Sequence, residues 1–583
     1  MPRARFLLIL VSFVFAVPLL AATRTWTGTN SGSWSDPANW GGTAPVANDD
    51  LVFPMGALNL TNNNNNFPAN TVFRSISVND TYHLSGNAII LGAGGLSLNT
   101  TTGTTVSFPI TLGTSQQWSG SGSSSSPPRV QGTVSLNGAT LTLTAIPHSG
   151  QEISGAINGT GTIVMNGPGV WFFKGANTYT GQTLINGGVL AVQDANSLGV
   201  ADNTLANGTI INGGTLSLGG GNTGNEYIRI FPSATAGIVG GAIHDLSGTL
   251  ELVSGQVVVY SDIGPIRFLG KITGNGGLTT TGGDFGFEIS NPANDFQGPI
   301  IVEDTVKLTA DHVLPPRDLT LTSATLDLHG TMQTIASLSG SGQRVQLGTG
   351  GTLNIFGPAT TVFDGSIQDS GTVALQGGDL TLRGTSTFAG SFTNSGGTLQ
   401  LIGPSAVMPA TYTESSGMFV VSDSGTAGPV TINGGTFVPG AVGVALANTG
   451  NLNLGGGAVY SELINGSAGG SFALTRVTGT VSLGGSALNL TGSGAAIAPG
   501  AQFVILTNDG SDPVVGTFNG LPEGAVTPVG PGNVFYRISY VGGTGNDVVL
   551  TALTPTNVPA LTPLGLLILG VMLAATALIA VRR

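Results

Sequence analysis

The chain has 583 residues, of which 94 are Gly and only 8% are Asp, Glu, Lys or Arg, and its formal net charge is −12. With 17 basic residues in all, a phosphate-binding surface of clustered Lys and Arg is excluded. A 40% hydrophobic fraction excludes a disordered chain, and the absence of Cys excludes disulfides, thiol chemistry and Cys-based metal sites.

At the start, Arg3 and Arg5 precede an apolar run from Phe6 to Val17, interrupted only by Ser12, and the small pair Ala21-Ala22 follows. This pattern predicts a secretory signal peptide over residues 1–22, cut before Thr23 by signal peptidase after delivery to the export machinery. Residues 23–60 read as an N-terminal cap region. They hold Trp26, Trp34 and Trp40, three of the five tryptophans, which are suited to shielding the first layer of a stack.

The body is rich in Thr, Ser, Asn, Gly and Val, a strand-and-turn vocabulary. One pattern recurs. Val134, Leu136, Leu141 and Leu143 bracket Asn137-Gly138-Ala139; Leu319, Leu321, Leu326 and Leu328 bracket Thr322-Ser323-Ala324; Val481, Leu483, Leu488 and Leu490 bracket Gly484-Gly485. Period-two alternation turns one face of each short strand inward, and Asn or Gly between them tolerates positive φ. Strands this short cannot bury a core alone, so units must stack. The units are either antiparallel hairpins or corners of a right-handed parallel β-helix. The β-helix is preferred, because the units recur without linkers and Thr/Asn/Ser-rich strands suit ladders of like residues. The β-solenoid is assigned to 61–475 and a C-terminal β region to 476–553.

No catalytic, cofactor-binding or metal site is predicted. Acidic residues are densest in Asp284, Glu288, Asp295, Glu303, Asp304 and Asp311, with Lys307 and His312 nearby, and are read as a solvated face. The alternative is a carboxylate cluster for Ca²⁺ or for glycan cleavage, the latter requiring about 5–9.5 Å between carboxyls. His83, His148, His244, His312 and His329 have no zinc-ligand spacing. Gly542-Gly543-Thr544-Gly545-Asn546-Asp547-Val548-Val549-Leu550 matches one calcium-binding nonapeptide. A single copy lacks the neighbouring turns such a site needs, so a tight turn between two strands is expected.

At the far end, residues 554–563 form a linker, and Leu564 to Val581 is an uncharged run of 18 residues before Arg582-Arg583. Such a run is long enough for a transmembrane helix, assigned to 564–583 with its basic tail on the cytoplasmic side and residues 564–581 in the inner membrane.

Two resemblances follow from these residues. The series Val558, Pro559, Ala560, Leu561, Gly565, the apolar run and Arg582-Arg583 resembles an IPTL-CTERM sorting signal, which implies an exosortase-type transpeptidase as partner. Ala560 stands where that family usually has Thr, and Leu564 where it often has Trp. The stretch Gly175 to Leu190 resembles the autotransporter-associated β-strand repeat of passenger domains through Asn177, Tyr179, Gly181, Thr183, Gly187, Gly188 and Leu190. Pro292 to Gly298 and Thr385 to Gly390 look like degenerate copies, each with an aromatic residue two before a Gly.

The expected fold is therefore all-β, a right-handed parallel β-helix (a pectin-lyase-like β-solenoid) with a signal peptide and one C-terminal transmembrane helix. The expected role is an exported, bacterial cell-envelope or surface protein, structural or adhesive, without nucleic acid as a partner and with extracellular polysaccharide as a possible ligand. The alternative is a carbohydrate-active enzyme on the same fold, a polysaccharide lyase or glycoside hydrolase.

Overall fold

The computed structural model describes residues 21–100, 103–220, 223–232, 237–240, 243–283, 286–341, 343–440, 446–468, 470–493 and 497–553. Residues 1–20 of the expected signal peptide, the expected sorting motif and the C-terminal apolar run lie outside them. Among the described residues no helix is long and apolar enough to cross a membrane. The chain divides into two units at Glu251/Leu252.

Both units are parallel β-solenoids. In the first, Thr140–Ala145 pairs in parallel with Gln116–Gly120 on one side and Thr162–Met165 on the other. Thr140 faces Thr162 and Ile163 faces Thr183, so a coil takes about 20 residues, close to the repeat length that stacked architectures use. Period-two alternation sends every second side chain inward, and the register stacks these residues. Leu96, Trp118, Leu143, Met165, Ile185, Ile211 and Ile230 follow one another from coil to coil. All are buried. Each such side chain contributes about 1.5–3 kcal/mol on burial, so stability accumulates along the stack. A single coil has no comparable core.

The first layers carry their own lid. Trp26, Trp34 and Trp40 are buried, with Trp40 at 5.1 Å from Trp26 and 6.4 Å from Trp34, both edge-on. Trp34 also packs on Phe53, Phe73 and Phe108, and its indole N–H donates to the Asn63 side chain. Thr23–Thr25 and Asp50–Phe53 already pair in parallel, so the region holds rungs of the solenoid as well as its lid.

In the second unit, Phe287, Val306, Leu326, Val345 and Ile367 form one inward ladder. Phe392, Tyr412, Val430, Leu452 and Val481 form another. The asparagine and glycine turns are corners between parallel strands, not hairpins: Val134–Ser135 pairs with Ile110–Leu112 and Ile157–Asn158, both in parallel. Asn137 (φ 51°), Gly138 (φ 81°) and Ser323 (φ 55°) take the left-handed conformation those corners need. The unit closes where the direction reverses: Gln502–Asn508 pairs antiparallel with Asp547–Ala552, which pairs antiparallel with Tyr536–Gly542.

Candidate functional site

The repeat residues converge on one structural device. The Asn177 side chain sits between two coils: its Oδ1 accepts from the Ile157 N–H at 2.8 Å, and its Nδ2 donates to the Ser197 carbonyl at 2.6 Å. Asn294 does the same for the Ile272 N–H (2.7 Å) and the Val313 carbonyl (2.8 Å). Ser386 Oγ accepts from the Ile367 N–H at 3.1 Å. Two residues on, Tyr179, Phe296 and Phe388 are buried. Four residues on come Gly181, Gly298 and Gly390. A Cβ there would stand 2.1 Å from Gly161 O, 2.3 Å from Gly277 N and 1.7 Å from Gly371 O.

All three copies therefore share one sequence of roles. A polar side chain accepts from an N–H of the preceding coil (the two asparagines also donate to the following one), an aromatic residue plugs the interior, and a glycine lets the backbones touch. The remaining motif residues serve the same corner. Tyr179 Oη and Thr183 Oγ1 are hydrogen-bonded at 2.6 Å. Gly188 has φ 65°, Leu190 is buried between Trp171 and Leu216, and Gly187 is spacious, with 3.8 Å to its nearest neighbour.

The acidic stretch is spread over several coils, with Glu303 and Asp304 on one open groove beside Arg344; Asp284 lies outside the described residues. Strand register places Arg267 beside Glu288, Glu288 beside Lys307 and Lys307 beside Asp327, a ladder of alternating sign. Lys271 holds Asp295 at 2.6 Å. Asp311 accepts from the Met332 N–H at 2.8 Å. Among the described residues no group of three His, Cys, Asp or Glu is placed to hold a metal. His148, His312 and His329 occupy positive-φ turn positions, whereas His83 binds Thr105 at 2.8 Å.

The nonapeptide is the expected turn. It links Tyr536–Gly542 to Asp547–Ala552, with Gly543 and Gly545 at positive φ. Asp547 turns its carboxylate onto the chain itself, accepting from the N–H groups of Asn508 and Thr544, each at 3.0 Å.

Perturbed acids lie elsewhere, inside the coils. Burial pushes Glu226 up to about 8, opposed by its bond to Thr209. Burial pushes Glu414 up to about 7, opposed by bonds from Tyr412 and the Thr436 N–H. Glu462 is raised strongly for the same reason. All three are almost inaccessible to solvent, which removes them from any contact with a polymeric substrate. Sequence reasoning passed over them, although Tyr412-Thr413-Glu414 and Tyr460-Ser461-Glu462 carry a signal: residues two apart on a strand share a face.

Much of what the coils turn outward is polar, although the Arg267–Glu288–Lys307–Asp327 ladder and exposed apolar residues such as Tyr260 and Ile263 interrupt it. Hydroxyls and amides stack between coils, as in Thr320 with Ser339 (2.9 Å), Thr372 with Ser391 (3.0 Å), Thr309 with Ser290 (2.9 Å) and Asn186 with Asn166 (3.1 Å).

A parallel solenoid punctuated by Asn/Ser–aromatic–Gly corners defines a passenger-like class of β-repeat protein. The passenger-associated-transport-repeat family model matches residues 158–192, 198–218 and 369–401, and the chain carries these repeats. Over 60 residues it is 48% identical to the Adhesin BmaC autotransporter of Brucella suis biovar 1 (strain 1330). That similarity covers 10% of this chain and 2% of the adhesin. No solved structure matches.

Proposed function

We propose that this chain is an exported cell-surface protein that adheres through the outward face of its solenoid, with extracellular polysaccharide as the ligand. The observation that carries this reading is the outward hydroxyl and amide ladder, exemplified by Thr320–Ser339 and Thr372–Ser391. Polysaccharide hydroxyls match such donors and acceptors at regular spacing, and low charge leaves little electrostatic competition. The passenger repeats and the similarity to a protein named an adhesin support surface display. The reading also includes passage through the export machinery with signal-peptide removal. It further includes anchoring at the inner membrane by residues 564–581, before an exosortase-type enzyme acts on the segment around Val558, Pro559, Ala560 and Leu561.

Binding of the secreted protein to immobilised polysaccharides tests the ligand. Saturable binding without release of reducing ends or unsaturated products is expected, and such release would favour the hydrolase or lyase instead. Mass spectrometry of the mature protein from fractionated cells tests both ends. The expected product starts at Thr23 and lacks the C-terminal apolar run; an intact Met1 in a cytoplasmic fraction would defeat the assignment.

A further inference from the structure

The chain contains two Asp–Pro bonds, Asp36–Pro37 and Asp512–Pro513, and the fold treats them differently. Asp512 lies in the loop that follows Gln502–Asn508, beside the turn between Tyr536–Gly542 and Asp547–Ala552. Its carbonyl oxygen, the one belonging to the bond with Pro513, accepts from two side-chain amides: Asn508 Nδ2 at 2.7 Å and Asn546 Nδ2 at 3.0 Å. Asn508 is 4% exposed and Asn546 5%. The surroundings of Asn546 fix its orientation. Its Oδ1 accepts from Thr544 Oγ1 at 2.8 Å, while its Nδ2 also faces the Asp509 and Gly510 carbonyls at 3.3 and 3.5 Å. A flipped amide would set its oxygen against three carbonyls. The backbone of Asn508 is held as well, its N–H donating to Asp547 Oδ1 at 3.0 Å.

Two buried donors from different segments, both within about 3.1 Å of one carbonyl oxygen, form the arrangement that stabilises negative charge developing there. A nucleophile stands beside it. The Asp512 carboxyl is partly exposed and has a single long contact among the described residues, 3.5 Å to the Asn508 amide, so it is free to turn onto its own carbonyl carbon. The exposed Pro513 supplies a leaving nitrogen that carries no N–H and belongs to a tertiary amide.

Asp36–Pro37 has the same two residues without the arrangement. The Asp36 carboxylate caps the short helix Pro37–Trp40 and accepts from Asn30 Nδ2 at 2.7 Å, Ser31 Oγ at 3.0 Å and the Ala38 N–H at 3.1 Å. Those bonds, that of Asn30 foremost, hold it charged to below the usual carboxylate range. Its carbonyl accepts from the Asn39 backbone N–H at 3.1 Å and from no side chain among the described residues.

We propose that the chain cleaves its own Asp512–Pro513 bond, with Asp512 as nucleophile and the Asn508 and Asn546 amides as the oxyanion site. An oxygen of the protonated Asp512 carboxyl bonds to the Asp512 carbonyl carbon. The C–N bond to Pro513 breaks, and the carboxyl proton leaves on the prolyl nitrogen as its N–H. The cyclic anhydride so formed takes up water and opens to two carboxyl groups on Asp512. The reaction turns over once and needs no external substrate. Val515 remains bonded to Val481 and Leu483, and Asp547–Ala552 to Gln502–Asn508, so the covalent link is replaced by strand pairing.

The test uses the purified full-length protein, folded or unfolded in urea, at about pH 5, where carboxyl protons are available. Intact mass and denaturing electrophoresis read the products. The folded chain should give one fragment ending at Asp512 and one starting at Pro513 with a free amine. The rate should be independent of protein concentration and at least about a hundredfold above that of the same bond in urea, the effect of one oxyanion donor. Asp36–Pro37 should gain nothing from folding. Asp512→Ala loses one long contact and should fold normally yet stay uncut. Asn546→Ala should slow the cut about a hundredfold. If circular dichroism shows that this variant fails to fold, the folded and unfolded wild-type rates decide the point instead. The proposal is overturned if the folded chain is cut no faster than the unfolded one, or if Asp512→Ala is still cut. A rate that scales with protein concentration, or a folded Asn546→Ala cut at the wild-type rate, overturns it too.

Discussion

The Tyr412 hydroxyl donates to Glu414 Oε2 at 2.6 Å, two residues along the same strand and sealed inside the second unit. A carboxyl so placed keeps its proton in the folded chain, because the charged form would be desolvated without a cation. Glu414 is raised to about 7, and Glu226 in the first unit to about 8.

The sign of the pH dependence follows. Above the unfolded value near 4.5 the unfolded chain releases a proton that the folded chain retains, so stability falls as pH rises. The contribution is fully present below about 4.5 and lost as pH climbs through about 7 for Glu414 and about 8 for Glu226. Denaturant unfolding should show a chain more stable at pH 5 than at pH 8, by on the order of 3 kcal/mol for each such acid. Glu414→Gln should lessen the slope for the second unit, where Glu462 still contributes, while leaving that of the first.

Asn177 satisfies one N–H and one carbonyl of different coils, both away from water. Asn177→Leu keeps the volume and leaves both groups unpaired, each at a cost of about 1–3 kcal/mol. Unfolding should shift by that amount, and exchange at the Ile157 amide should rise. Asn294→Leu should repeat the result in the second unit, where the bond geometry is the same.

The two kinds of glycine in the repeat separate cleanly. Gly181 has φ 120° and no room for a Cβ, whereas Gly187 has 3.8 Å to its nearest neighbour. Gly181→Ala should destabilise the first unit by more than about 2 kcal/mol through strain and displaced backbone. Gly187→Ala should change stability by less than about 1 kcal/mol. Thermal unfolding of the pair checks this, and equal effects would contradict the corner geometry.

Trp34 touches Trp40, Phe53, Phe73 and Phe108. Trp34→Ala should cost about 3–5 kcal/mol, as large core deletions do. The damage should begin at the first rungs. Limited proteolysis should cut within Asp50–Phe53 and Asn63–Asn65 before later coils open.

Much of the solenoid was legible in residue order. The inward pattern Val134, Leu136, Leu141, Leu143 is buried as the alternation requires, and Asn137-Gly138 is a left-handed corner. The repeat copies at Asn177, Asn294 and Ser386 were recognisable from the spacing of aromatic residue and glycine. What spacing did not disclose was the polar residue's task, because its partners lie a full coil away, on either side for Asn177 and Asn294 and on one side for Ser386. The alternation of Arg267, Glu288, Lys307 and Asp327 was hidden for the same reason: acidic residues that crowd in sequence are dealt out to different coils and meet opposite charges there.

Sequence alone determined the inward and outward faces, the corner positions and the all-β class, because each follows from the two-residue period of a strand and the φ range of Gly and Asn. Only the tertiary structure decided which residues become coil neighbours, since that depends on the summed length of every intervening corner. It alone sealed Glu414 from water. It alone left Leu488 and Leu490 half-buried, although their pattern is that of the fully buried Leu141 and Leu143.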